Sequence, residues 1–200
     1  MSERIFADER DWNDGAQRPH LFRYYMARGY LTQDDIVNDV ACGCGYGSEL
    51  MAEVAGQVTG LDYSPEMIDH ANDFHVQRNK EFLRGSYTNL DYEVVDLNEA
   101  EALPPCTVSV SIETIEHLKD PLHFAKLLKE STKRLIFITT PIVPTKHANP
   151  FHLQDFTPND IETLFTDEIW RPFHSYKQGA GPDSMYGGFI FWKDEQRRNL

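Results

Sequence analysis

Short, strongly apolar runs alternate along the chain with stretches in which apolar residues return every three or four positions. The first periodic stretch, RPHLFRYYMARGYL (18–31), predicts a helix. Apolar and β-branched runs then come at IVNDVA (36–41), QVTGLD (57–62), DYEVVD (91–96), TVSVSIE (107–113) and RLIFITT (134–140), and each predicts a strand. Helical spacing returns between them, from about Tyr46 to Ala55, from Ser64 onwards, and from about Asp120 to Thr132. Ser64-Pro65 and Thr157-Pro158 are helix starts, a capping side chain followed by a proline that fits the first turn; the second opens a helix over 157–165. The last runs, EIWRPFHSYK (168–177) and YGGFIFWK (186–193), predict a closing antiparallel pair. Strands alternating with helices imply an α/β fold, a doubly wound mixed sheet of about seven strands with the last antiparallel and helices on both faces. No repeat, low-complexity tract or linker breaks the pattern, so residues 1–200 read as a single domain.

Candidate chemistry begins at IVNDVACGCGYGSELMAEV (36–54), a strand, a turn with Gly43, Gly45 and Gly47, and a helix. Such a turn at the carboxyl end of a first strand is where doubly wound sheets hold nucleotide-like ligands. A second strand ends in Asp62, 19 residues after Gly43, close to the ~20-residue spacing at which a carboxylate accepts hydrogen bonds from ribose hydroxyls. The glycines are spaced two and two, whereas pyrophosphate binders need two and then three. Asp39 also precedes the turn, and an anion there repels a pyrophosphate but suits a cationic amine or sulfonium. This pattern argues against a dehydrogenase.

On these residues the chain resembles the class I S-adenosylmethionine-dependent methyltransferases, which have a Rossmann-like fold. DVACGCGYGS is similar to that family's first motif, GLDYSPEMIDHA (60–71) to its second strand and following helix, YEVVDLNEAEALP (92–104) to the loop beside the adenine, and VSIETIEHLKDP (110–121) to its fourth motif. The branch most similar holds ubiquinone-biosynthesis and small-metabolite methyltransferases. The resemblance implies S-adenosylmethionine as cofactor and S-adenosylhomocysteine as product. It assigns Asp39 and the backbone of Ala41, Cys42, Gly43 and Gly45 to the amino-acid end, Asp62 to the ribose, and Tyr63, Asp96 and Leu97 to the adenine. Glu113 is counted with the cofactor residues as well. Arg23 and Tyr24 resemble an Arg-Tyr pair in related enzymes, the arginine clamping the methionine carboxylate; an ordinary surface cation is the alternative for Arg23. Many members carry glycine where this chain has Ala41.

In the fourth motif His117 is the candidate general base, because an unperturbed histidine titrates near neutrality. Many relatives use this histidine structurally or against the cofactor. Glu113, Glu116, His117 and the later His152 also resemble the metal set of RNA 3′-terminal 2′-O-methyltransferases, and this divalent-ion reading is the minority one. Magnesium prefers oxygen donors, which counts against it.

Composition narrows the partners. A net charge of −13 disfavours a protein that gains affinity by neutralising phosphates, so nucleic acid is not the expected partner and a small molecule is. The odd count of three cysteines, two of them (Cys42 and Cys44) inside the glycine turn, fits a reducing cytoplasm better than a disulfide framework. The start MSERIFADERDW lacks the pattern of a signal peptide, and no membrane span is evident. The expected function is methyl transfer to a small acceptor, O-methylation slightly preferred over N-methylation. The acceptor pocket is expected from residues 12–30, with 1–33 as part of a lid, and from 141–155 and 173–187. An RNA-end or nucleotide methyltransferase and a catalytically silent S-adenosylhomocysteine-binding module are the alternatives. The oligomeric state is not readable from the sequence.

Overall fold

The computed structural model describes Asn13, Gly15 and residues 17–77, 88–181 and 184–194. Much of the expected amino-terminal lid, and part of the turn at 179–182, lie outside them. The chain divides into two compact units, residues 1–96 and 97–200, and among the described residues seven strands make a mixed sheet with helices around it.

In the first unit the order is helix α1 (Gln17–Arg28), strand β1 (Ile36–Val40), helix α2 (Tyr46–Ala52), strand β2 (Gln57–Asp62), helix α3 (Pro65–Ala71) with a π-helical turn over Asn72–Gln77, and strand β3 (Leu90–Val94). The strands run in parallel in the order β3-β2-β1. Their register sets Asp39 of β1 beside Gly60 of β2, and Gly60 beside Tyr92 of β3. Val37, Val40, Val58 and Leu61 are buried, as are Leu50 and Met51 of α2 and Leu21 of α1. Burial on this scale, about 1.5–3 kcal/mol for each large aliphatic side chain, anchors the loops at the strand ends.

The second unit holds strand β4 (Cys106–Ile112), a 3-10 turn (Ile115–His117), helix α4 (Pro121–Ser131), strand β5 (Thr132–Pro141), helix α5 (Pro158–Phe165), and strands β6 (Trp170–Gly181) and β7 (Ser184–Lys193). Its strand order is β4-β5-β7-β6, with β4 and β5 parallel and β7 antiparallel to both neighbours. Phe137, Ile136, Leu128, Phe165, Phe191 and Trp170 fill its core.

Helix starts follow local chemistry. Ser64 accepts the Met67 amide, and Asp120 accepts the His123 amide, each directly before a proline. Thr157 and Asp160 exchange bonds as a capping box. Among the described residues no helix is long and apolar enough to cross a membrane.

Candidate functional site

Asp39 sits near the end of β1 with no exposed surface. The Ser48 hydroxyl of α2 donates to its Oδ2 at 2.6 Å, and the Tyr24 hydroxyl of α1 donates to its Oδ1 at 3.3 Å. Burial outweighs those two bonds and pushes the Asp39 carboxyl up to about 7, with the Asp62 charge adding to the rise. Tyr24 also fills the space above Gly47: a Cβ there would lie 2.1 Å from the tyrosine ring. Edge-on packing of Tyr24 against Tyr46, 5.7 Å between centroids, completes this cluster. Arg23 is only 2% exposed, so the surface-cation reading is wrong. Its charge acts on the Tyr46 hydroxyl, which burial otherwise drives upward.

The glycine turn is bent by three successive odd positions in the left-handed region, Ala41 at φ 67°, Gly43 at 56° and Gly45 at 87°. For alanine that conformation costs about 1 kcal/mol or more relative to glycine, which is a physical reason for glycine at this place in relatives. The amides of Ala41 and Cys42 both donate to the Leu61 carbonyl, tying the turn to the end of β2. Cys42 and Cys44 are buried free thiols, and burial pushes the Cys42 thiol well up, so it stays a small neutral packing group.

Asp62, 6% exposed, closes the turn from β2. Its Oδ2 accepts the Gly43 amide at 3.0 Å and its Oδ1 the Ser64 amide at 2.9 Å. Each carboxylate oxygen has a further lone pair and can accept a second donor from outside the turn. Tyr63 follows with 62% of its surface exposed. Asp96 lies beyond β3 rather than inside it and is exposed, while Leu97 is buried.

The second unit brings together three of its four proposed ligands. Atoms of Glu116, His117 and His152 lie within 4.8 Å of one another, and Glu113 is not part of that group. Glu116 is buried, and its Oε2 accepts the Thr140 hydroxyl at 3.0 Å. The His117 Nδ1 lies 3.1 Å from the Phe151 carbonyl, which can only accept, so Nδ1 is the donor in this contact. The His152 Nδ1 meets the Thr145 hydroxyl at 2.6 Å, and the two rings meet edge-on at 4.8 Å. Glu113 itself holds φ 52°, its amide donating to the Thr139 carbonyl at 3.0 Å. Non-glycine residues in this region cluster at functional sites. A separate cavity of about 300 Å³, lined by Phe173, His174 and Phe189 among others, includes none of these residues.

Sequence reasoning missed Ser48 and Tyr92. The signal for Tyr92 was Gly60, a lone glycine inside a strand, which marks a close approach by something bulky.

Residues 38–135 match the family described as Methyltransferase domain. A probable S-adenosylmethionine-dependent methyltransferase of Mycobacterium tuberculosis is 30% identical over 191 residues, covering 86% of this chain and 64% of its own length. A ubiquinone biosynthesis O-methyltransferase of Xanthomonas campestris is 32% identical over 122 residues, 56% of this chain and 47% of the relative. The chain thus spans less than two thirds of the length of these curated relatives. The fold matches magnesium protoporphyrin IX methyltransferase from Synechocystis, solved with bound S-adenosylmethionine, at a TM-score of 0.67 and 15% identity over 96% of this chain and 86% of that one. Motif order, mixed sheet and relatives point the same way: the chain is similar to S-adenosylmethionine-dependent methyltransferases, with residues 38–135 matching the Methyltransferase domain family.

Proposed function

We propose that this chain transfers the methyl group of S-adenosylmethionine to a small-molecule acceptor, with an oxygen acceptor preferred. The observation that carries the cofactor reading is the pair of pre-set carboxylates at the glycine turn. Asp39 is buried and held by Ser48 and Tyr24, and Asp62 is fixed by two backbone amides. A cationic amino-acid end suits the first, and ribose hydroxyls suit the second. Arg23 is the candidate clamp for the methionine carboxylate, the exposed ring of Tyr63 is a stacking surface for adenine, and Asp96 with Leu97 is the candidate pair at its amino group.

In the reaction the S–CH₃ bond breaks as the new O–CH₃ bond forms, and the electron pair stays on sulfur. His117 is the candidate base that takes the hydroxyl proton. The preference for oxygen rests on that base and on the ubiquinone O-methyltransferase among the relatives. The net charge of −13 and three free, buried cysteines support a small-molecule enzyme of a reducing cytoplasm over a nucleic-acid one.

Thermal unfolding with S-adenosylhomocysteine, and NADH as control, tests this reading. A ligand at ~100 times its dissociation constant adds ~2.7 kcal/mol, which moves the midpoint roughly 5–10 °C in a chain of this size. The expected result is that rise with S-adenosylhomocysteine and none with NADH. No rise, or a rise with NADH alone, sinks the cofactor assignment.

The convergence of Glu116, His117 and His152 favours a second reading, in which they hold a divalent cation and His117 is a ligand instead of a base. One carboxylate and two imidazoles suit zinc, iron or manganese better than magnesium. Bound there, a cation would lower the pKa of an acceptor hydroxyl. The contacts of His117 with the Phe151 carbonyl and of His152 with the Thr145 hydroxyl are of the kind that orient imidazole ligands. Calorimetric titration with zinc and with manganese is expected to show one equivalent bound, lost in His152→Ala. Absence of binding by the wild-type protein, with full turnover in excess EDTA, removes this reading.

A further inference from the structure

Tyr92 is the buried aromatic of β3, and two glycines of the first unit make room for it. Its ring atoms lie 2.4 and 2.6 Å from where a Cβ on Gly60 would stand, so the ring occupies the place of a side chain on the neighbouring strand. The Tyr92 hydroxyl lies 2.6 Å from the equivalent point on Gly45 and donates to the Gly45 carbonyl at 2.9 Å. That carbonyl also accepts the Glu49 amide at 3.0 Å, the first helical bond of α2. Both of its lone pairs are therefore engaged, from two directions.

A trans peptide is planar, so fixing the Gly45 carbonyl fixes the Tyr46 N–H on the opposite side of the same plane. Gly45, at φ 87°, holds a conformation that glycine permits without enforcing, so its peptide needs outside contacts to stay set. Among the described residues no side chain caps α2 at Gly45, so the Tyr92 phenol adds a side-chain anchor to the backbone bond from Glu49 on the last peptide of the turn. Burial pushes the Tyr92 hydroxyl well above its ordinary value, which keeps it a donor at every pH of interest.

We infer that Tyr92 is a positioning residue for the cofactor's amino-acid end, acting through the Gly45–Tyr46 peptide. The inference rests on the reading above, in which the glycine turn lines that end. It differs from a general packing role in one respect. A residue that only props the sheet affects every ligand of the turn alike, whereas one that sets this peptide affects only ligands that reach it.

The test is calorimetric titration of wild-type protein and Tyr92→Phe with S-adenosylhomocysteine and with 5′-methylthioadenosine, which has the same adenosine and sulfur but no amino-acid end. Tyr92→Phe is expected to weaken S-adenosylhomocysteine about tenfold and to leave 5′-methylthioadenosine within twofold. Unchanged affinity for both, or an equal loss for both, overturns the inference. Should Tyr92→Phe fail to fold, Gly60→Ala moves the same ring by crowding it and is expected to give the same split. Wild-type protein that binds neither ligand overturns the cofactor reading along with the inference, so the two failures are told apart.

Discussion

Asp62→Ala is expected to weaken S-adenosylhomocysteine binding by about 10²–10⁴-fold, measured by calorimetric titration. Two ribose hydroxyls donating to an ionised carboxylate make charge-assisted bonds, each worth ~1.5–3 kcal/mol when groups are held in place. The holding is already done, since the Gly43 and Ser64 amides grip the two oxygens from either side. Alanine removes the acceptors and leaves both amides to find water, so the turn loosens as well. A fall of a few degrees in the unfolding midpoint goes with this, at ~1–2 kcal/mol for the lost backbone bonds. Affinity within threefold of wild type would place the ribose elsewhere.

Asp39→Asn is expected to have opposite effects on stability and on binding. The carboxyl is raised from 3.8 to about 7 chiefly by burial. Between those values the unfolded chain has lost the proton while the folded one keeps it, so the folded state binds more protons and stability falls as pH rises. Above about 7 the whole penalty remains, with a ceiling on the order of 4 kcal/mol at ~1.36 kcal/mol per pH unit. Asparagine does not ionise, and the Ser48 and Tyr24 hydroxyls can donate to its oxygen or accept from its amide. In urea unfolding the variant is expected to gain on wild type from pH 4 to 7 and to stay ahead by a few kcal/mol at pH 8. Its affinity for S-adenosylhomocysteine falls, because the cationic end loses its counter-charge. Wild-type affinity should rise as pH passes about 7, and the variant should lack that rise. Parallel stability curves for the two proteins would mean that Asp39 is not the buried acid described here.

Local signals were legible in the sequence, and long-range ones were not. Ser64-Pro65 and Thr157-Pro158 start helices where expected, because capping needs only neighbouring residues. The spacing of Asp39, Gly43 and Asp62 placed strand, turn and strand in order. Strand ends were less readable. The expected strand 91–96 is Leu90–Val94, and the expected 168–177 is Trp170–Gly181, since pairing of Gly179 with Met185 and of Gly181 with Ser184 carries β6 onward through its glycines. Residue identity suggested that Arg23 was either a ligand or a surface cation, and only packing could show it buried. Likewise, nothing in the local pattern ties Tyr92 to Gly45, 47 residues away, or His117 to the Phe151 carbonyl, 34 away.

Helix α1 has a consequence for where this protein can be cut and joined. The matched family region begins at residue 38, yet Tyr24 at positions 17–28 fills the gap above Gly47 and bonds Asp39. A boundary chosen by homology alone would separate the acid from one of its two hydroxyl donors and uncover the glycine helix. In chimeras between relatives, α1 and the glycine turn are therefore one inheritable piece, and a graft that takes either without the other mismatches a phenol ring with a hydrogen atom.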